Sequence, residues 1–380
     1  MKPLYKVVII QRRLTQYRKP FHELLRERLA KSDIELVLIY GSHSKIESRK
    51  KDGAKIIWAH HIENRSIKLG PYKLYWQPCL KYIKGADLII VEQASKLILN
   101  YVLLGCQMVG FKKICFWGHG KNFQEHTSSS SGERIKRFMS RHVHWWFAYN
   151  DLSAGVVRSF GYPEDRITSV QNAIDTRRLV TARQNISQAQ LGHTKAEFGI
   201  KGENVCIYTG SMYPEKRLDF LLEACVKIKK DVSDFEMIFI GAGQDDCKVK
   251  DAAEKYEWVH YVGPKFDEEK VPYFILSRLF LMPGLVGLSI LDTFALEIPL
   301  ITTNISYHSP EIDYLVDGYN GVIVQEAGDA SVYAAQVSNL LKDDGAREKL
   351  VSGCREAIKR YTIEKMVKLF AEGIVCALKT

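Results

Sequence analysis

The sequence lacks the marks of a metal centre or a redox pair. Its eight cysteines (Cys79, Cys106, Cys115, Cys206, Cys225, Cys247, Cys354 and Cys376) are scattered, with no CxxC and no close Cys/His spacing. They lie mostly in apolar runs, which fits reduced, buried thiols in a cytoplasmic protein and argues against a metal site. Long apolar runs are missing as well, and no window approaches the roughly 20 apolar residues that a spanning helix needs. The apolar stretch after Lys6 is too short for a secretory signal and runs straight into Gln11-Arg12-Arg13, so no leader is expected. No repeat of solenoid period is present. One low-complexity piece, His126–Gly132, is expected to form a mobile loop.

What is there is an ordinary globular composition. The chain has 380 residues, 46% of them apolar and 26% charged, enough for two domains with full cores. Its formal charge of +10 is unevenly spread: residues 1–180 hold 31 Lys+Arg against 15 Asp+Glu, and residues 181–380 hold 23 against 29. The N-terminal half is therefore basic and suited to an acidic partner, such as a membrane face, a phospholipid-linked substrate or nucleic acid. It contains no recognisable nucleic-acid module, so nucleic acid is not expected.

Short apolar runs alternate with helical periodicity. Strands are predicted at Lys6–Ile10, Ile34–Ile39, Lys55–Trp58, Leu88–Val91, Lys113–Trp117, Trp145–Ala148 and Ile167–Val170, with helices such as Phe21–Ala30 and Glu133–His142 between them. A second series runs Val205–Thr209, Phe235–Ile240, Trp258–Val262, Leu279–Met282, Leu300–Thr303 and Gly321–Val324. Two successive strand–helix series predict two doubly wound α/β domains. The polar, less regular stretch Ile174–Gly202 is expected to link them.

The rest is organised around Val205–Ala224, VCIYTGSMYPEKRLDFLLEA. Its first five residues are apolar, β-branched or aromatic and are closed by Gly210, the pattern of a buried strand. Pro214 suits a first helical position, where no amide partner is lost. Leu218, Leu221, Leu222 and Cys225 recur at i, i+3, i+4 and i+7, so one helix face is buried. The turn Gly210-Ser211-Met212-Tyr213 is thus expected to deliver Lys216 into the first helical turn. A strand, a tight turn and a helix N-terminus form an anion site, where free amides and the helix dipole converge. An ordinary strand–turn–helix with a solvated lysine has the same pattern.

This stretch resembles the donor-binding element of retaining GT-B glycosyltransferases of the family-4 type, which show Gly-Arg, then Pro-Glu-Lys, then Asp and Glu-Ala on the helix. Gly210, Pro214, Glu215, Lys216, Asp219, Glu223 and Ala224 match, with Ser211 in place of Arg. Pro283–Thr303 resembles the family block with two acidic residues eight apart around Gly-Phe-Gly-Leu. Gly287, Leu288, Leu291, Ala295 and Pro299 match, and Asp292 takes the second acidic position. Gly284 takes the first, and Glu297 stands where the family usually has Gly. Gly241-Ala242-Gly243, Val170–Asp175, Ser309–Ile312 and Asp317–Gly321 extend the resemblance, in order, across Val170 to Val324.

The resemblance implies two Rossmann-like domains facing a central cleft: an acceptor-binding domain over residues 1–176 and a nucleotide-sugar-binding domain over residues 177–363. A C-terminal helix at about 364–380 would pack back on the first. Lys216 and His119 would act in catalysis, Lys216 on the leaving diphosphate and His119 on the transferred sugar. Gly210, Ser211, Gly241, Gly243, Gly287, Leu288, Asp292 and Glu311 would join Lys216 in holding the donor, with Asp292 on the ribose. Glu311 is the substitute sugar contact for the carboxylate absent at Gly284, and Glu297 is expected to be an exposed helix-end residue. The loops after the first N-terminal strands supply Arg12, Arg18, Glu92, Lys121 and Asn122 toward an anionic or lipid-linked acceptor, although a solvated basic loop fits Gln11–Pro20 as well.

The donor would be UDP- or GDP-linked, with no metal or other cofactor. The basic N-terminal half, including the amphipathic stretch Glu133–Trp146, offers peripheral contact with the inner face of a membrane. An ordinary domain helix with a core face fits that stretch too. Transfer to a glycan or lipid-linked acceptor in bacterial surface polysaccharide or glycolipid synthesis is the leading function. A GT-B epimerase or phosphorylase and a non-catalytic sugar-nucleotide-binding subunit, the last favoured by Gly284, remain alternatives.

Overall fold

The computed structural model describes residues 3–43, 52–70, 72–120 and 137–380. Lys121, Asn122, the His126–Gly132 stretch and the start of the Glu133–His142 helix lie outside these residues; 137–142 are helical. The chain divides into two compact units, Met1–Asp175 with Ile363–Thr380, and Thr176–Thr362.

The first unit is built on a seven-stranded sheet, order β3-β2-β1-β6-β7-β8-β9, in which every neighbouring pair is parallel. These strands are β1 (Tyr5–Gln11), β2 (Ile34–Gly41), β3 (His60–Ile62), β6 (Leu88–Glu92), β7 (Lys113–Gly118), β8 (Trp145–Ala148) and β9 (Ile167–Ser169). Residues Val7–Ile10 and Leu88–Val91 are buried on both faces, which is why these strands read as unbroken apolar runs. The strand order reverses between β1 and β6, so Gln11, Arg12 and Glu92 emerge at the point where doubly wound sheets open their ligand crevice.

Lys55–Trp58 is not a strand. Residues 57 and 58 turn, Ile57 is fully exposed, and Trp58 covers the Arg26 guanidinium at 4.6 Å. The edge strand is β3 instead, and an antiparallel hairpin follows, β4 (Arg65–Leu69) with β5 (Tyr72–Trp76). The C-terminal helix Ile363–Lys379 belongs to this unit. Phe370 stacks on Phe147 at 4.3 Å and meets Phe21 and Trp117 edge-on. Gly373 permits the contact, because a Cβ there would fall 2.5 Å from Thr168 Oγ1.

The second unit holds a six-stranded parallel sheet, order β12-β11-β10-β13-β14-β15. Its strands are β10 (Asn204–Thr209), β11 (Phe235–Ile240), β12 (Val259–Gly263), β13 (Leu279–Leu281), β14 (Leu300–Thr303) and β15 (Gly321–Val324). The stretch expected to be a linker forms two helices of this unit, Arg177–Asn185 and Gln188–Phe198. The second starts on a capping box between Ser187 and Gln190 and ends on left-handed Gly199. Their polarity reflects a surface position: Leu179 and Thr194 are their only buried residues.

Candidate functional site

In the C-terminal unit the loops after β10 and β11 press backbone on backbone. A Cβ on Gly241 would lie 1.9 Å from the Gly210 carbonyl oxygen, and one on Gly243 2.1 Å from that of Met212. Gly210 and Gly241 also have φ near +145°, open to glycine alone. These three glycines therefore have a packing reason of their own at the sheet's C-terminal edge. The Ser211 carbonyl accepts the Tyr208 hydroxyl at 3.0 Å, which holds the turn down.

Lys216 is not in the first turn of the following helix. Pro214–Lys216 form a separate 3-10 turn, Arg217 is left-handed (φ +57°), and the helix runs Leu218–Asp231. Arg217 holds this break in place. Its guanidinium donates to Ala327 O (2.6 Å) and Thr303 Oγ1 (3.0 Å) and lies over Phe220 at 4.1 Å. The break turns Lys216 inward, 6% exposed, with Nζ donating to Leu285 O at 2.5 Å and near Met282 Sδ at 3.6 Å. Burial brings the ammonium down to about 7, partly opposed by Glu215.

Gly284 packs directly against that turn. A Cβ would fall 2.4 Å from Glu215 O and from the Lys216 carbonyl carbon, and Leu285 N–H donates to Glu215 O at 2.9 Å. A side chain at position 284 would therefore meet the backbone of the Lys216 turn. Gly287 is the opposite case. Its φ is not positive, and a Cβ would meet only Ser309 Oγ, at 3.8 Å. Among the described residues nothing demands glycine there, whereas a ligand approaching the backbone would.

Gly287 and Leu288 open the helix Ser289–Leu296, buried from Ile290 to Leu296 and without a side-chain cap at Leu288. Ile290 and Leu291 N–H donate to Gly287 O (3.2 Å) and Leu288 O (3.0 Å), so the amides left for a ligand are those of Gly287, Leu288 and Ser289. The sequence reading missed His308, which supports this loop. Val286 N–H donates to its Nδ1 (3.0 Å), and its Nε2–H donates to Thr303 O (2.8 Å). Burial pushes it down to about 4, so it is neutral at pH 7. No motif marks this histidine in the sequence.

Asp292 sits in the first turn of the same helix, 7% exposed. Its Oδ2 accepts from Lys270 Nζ at 2.8 Å. Glu311 lies buried in the turn Pro310–Tyr314, whose neighbour Ser309 donates through N–H to Val286 O at 3.1 Å. Glu297 is not exposed. Its side chain is 16% accessible and accepts from Arg183 Nη2 and Arg355 Nε, both at 2.6 Å. It caps the helix in a left-handed conformation (φ +60°), which is why the family's usual residue at this position is Gly.

In the N-terminal unit, His119 follows β7 within a clamped loop. The Gln93 side-chain amide brackets Gly120, donating to its O and accepting from its N, both at 2.9 Å. Gly118 is required because a Cβ would lie 2.7 Å from Gln93 Cβ. His119 is half-buried, its ring 4.1 Å from that of Tyr149. Gln93 has no sequence signal, since its role depends on a loop 27 residues away.

In the basic loop Gln11–Pro20, Arg12 and Arg18 are buried and Arg13 half-buried, whereas Lys19 is exposed. Arg18 is 5% exposed, donates to Asn172 Oδ1 at 2.6 Å and packs on the Tyr17, Trp117 and Tyr149 rings. Arg13 pairs with Asp52 at 3.5 Å, and Lys19 with Glu23 at 3.9 Å. Arg12 is buried, 5.5 Å over the Tyr75 ring, and meets Glu92 as the strand reversal requires. Burial raises the Glu92 carboxyl, against the Arg12 guanidinium and backbone N–H.

In the described part of the amphipathic stretch, Arg141 donates to Phe160 O and Arg137 lies over the Phe160 ring, while Trp145 and Trp146 belong to β8. Among the described residues no group of three His, Cys, Asp or Glu is placed to hold a metal, and no helix is long and apolar enough to cross a membrane.

Residues 203–343 match the protein family described as Glycosyl transferases group 1. A phosphatidyl-myo-inositol mannosyltransferase of Mycobacterium leprae is 23% identical over 196 residues, covering 50% of this chain. The match spans about half (49%) of that relative's length. Anabaena HepE in complex with UDP superposes with a TM-score of 0.72 at 12% identity, covering 97% of this chain and 99% of HepE; HepE with UDP-glucose gives 0.70. WaaG, a glycosyltransferase involved in lipopolysaccharide biosynthesis, gives 0.66 at 12% identity over 96% of this chain and 98% of WaaG. At such identities the structural likeness establishes the fold, two Rossmann-like domains. Family match, relative and fold together support a group 1 glycosyltransferase of GT-B architecture.

Proposed function

We propose that the protein is a retaining glycosyltransferase that moves a sugar from a UDP- or GDP-linked donor to a glycan or lipid-linked acceptor. The observation that carries this reading is the buried Lys216 ammonium, fixed on Leu285 O within the loop that leads through the open Gly287 to the uncapped helix Ser289–Leu296. As the bond from the sugar to the diphosphate breaks, negative charge builds on the leaving β-phosphate, and preorganised donors stabilise it. Lys216 and the amides of Gly287, Leu288 and Ser289 supply those donors, Asp292 holds the ribose and His119 contacts the sugar. In this reading no metal is needed.

HepE binds UDP and UDP-glucose, and WaaG serves lipopolysaccharide synthesis. With the mannosyltransferase relative, they support a nucleotide-sugar donor and a bacterial surface glycan or glycolipid product. The basic N-terminal half and the exposed apolar side chains of Tyr101, Val102, Met108, Val109 and Phe111 support a cytoplasmic protein resting on an anionic membrane.

Gly284 favours a second reading, a subunit that binds the sugar nucleotide without turning it over. A melting screen with UDP-, GDP-, ADP- and CMP-sugars, followed by transfer to lipid-extract acceptors, tests both. Stabilisation with transfer supports the enzyme, stabilisation without transfer or hydrolysis supports the subunit, and no stabilisation refutes the donor site.

A further inference from the structure

Lys270, ion-paired with Asp292, has no role assigned so far. Lys270 closes a 3-10 turn, Asp267–Lys270, that opens on a left-handed Asp267 (φ +45°). Three acidic residues precede it, yet the lysine is the one turned inward. Its side chain is 14% accessible and that of Asp292 10%, at an Nζ–Oδ2 distance of 2.8 Å. The second carboxylate oxygen, Asp292 Oδ1, is buried with no hydrogen-bond partner among the described residues. A buried carboxylate oxygen left without a donor is unfavourable and calls for a ligand or water to complete it. An ammonium carries three N–H donors, and the contact with Asp292 uses one of them. The pair therefore presents one unsatisfied acceptor with spare donors beside it, one helical turn from the uncapped helix start at Leu288.

We propose that Lys270 and Asp292 form a two-part clamp for a vicinal diol, the 2′- and 3′-hydroxyls of the donor's ribose. One hydroxyl donates to Asp292 Oδ1, and the oxygen of its neighbour accepts from Lys270 Nζ. Lys270 is thus a second binding group and also the positioning residue that orients the carboxylate. The inference rests on the donor-site reading above and adds to it a residue outside the resemblance.

Calorimetry on the full chain with UDP and GDP, and with their 2′-deoxy and 3′-deoxy counterparts, tests it. The wild type is expected to bind at least one ribonucleotide and to lose about tenfold with each matching deoxy analogue, the effect of a hydrogen bond to a charged group. Lys270→Met keeps the apolar stem. It should bind the ribonucleotide about tenfold more weakly and lose discrimination against one deoxy analogue, while Lys270→Arg restores part of both. Asp292→Asn should lose discrimination against the other analogue.

A Lys270→Met protein that melts lower yet keeps the wild-type ratio of ribo to deoxy affinities overturns the clamp and makes the pair a structural lock. Unchanged nucleotide affinity in Asp292→Asn, or no binding of either nucleotide by the wild type, instead overturns the donor-site reading itself. Weakened binding in Asp292→Asn with an unaffected Lys270→Met leaves that reading standing and overturns the clamp alone.

Discussion

Lys216→Met should stabilise the ligand-free protein while sharply lowering its activity. Burial moves the ammonium from 10.5 to about 7, which corresponds to roughly 5 kcal/mol held against folding as an upper figure. Because the folded value is the lower one, this cost is fully present below pH 7. Between pH 7 and 10.5 the unfolded chain binds the extra proton, so wild-type stability rises with pH at up to about 1.4 kcal/mol per pH unit. Methionine fills the same stem volume without the charge, but leaves Leu285 O without its partner, a loss of about 1–3 kcal/mol.

The variant should therefore be more stable by about 2–4 kcal/mol at pH 6, with the gap narrowing by about 2–3 kcal/mol by pH 9. Urea unfolding of the C-terminal unit at pH 6, 7.5 and 9 without nucleotide measures this. Turnover should fall about a hundredfold in the same variant, the usual effect of losing one charged contact to the leaving group. Nucleotide binding at pH 8 should take up close to one proton in the wild type and less in the variant, read from calorimetry in buffers of different ionisation heat. A variant no more stable at pH 6, or a gap that does not change with pH, would refute the placement of Lys216 as a desolvated cation.

Three further outcomes are expected. His119→Ala should cut transfer while leaving nucleoside diphosphate affinity unchanged; equal loss of both would move His119 into the nucleotide pocket, and no effect on either would leave it a plain loop residue. Gly284→Ala should lower stability by about 1–3 kcal/mol, because the new methyl meets the Lys216 backbone, and an unchanged melting temperature would show that the two loops lie further apart. Glu297→Gly should relax the left-handed backbone but lose two arginine contacts, so denaturation should show a net change within about 1 kcal/mol; a large loss would make the Arg183–Glu297–Arg355 bridge a principal support of the helix.

Strand placement was legible wherever burial was two-sided. Phe235–Ile240, Leu300–Thr303 and Trp145–Ala148 fall at the expected residues, because a parallel strand covered on both faces is a continuous apolar run bounded by turn residues. The miss at Lys55–Trp58 has the same origin. A run of that length is a strand only if a neighbour supplies its ladder, and β2 pairs with His60–Ile62 instead. Ile174–Gly202 was misjudged because polarity was taken for irregularity, although the capping box at Ser187 was present to be read.

The site divides along a similar line. The sequence by itself determined which residues are chemically able to serve: Lys216 before a helix, Gly287 and Asp292 at the head of another, and His119 after a strand. Only the tertiary structure decided their states. Leu285, 69 residues on, accepts from the buried Lys216, and Glu215 occupies the space beside Gly284. Lys270 reaches Asp292 across 22 residues, Gln93 holds the His119 loop across 27, and Arg18 is withdrawn to Asn172 across 154. A side chain's type and local period are properties of its neighbours in the chain. Its exposure, its charge and the partner of each polar atom depend on which distant backbone packs against it, and no local pattern encodes that.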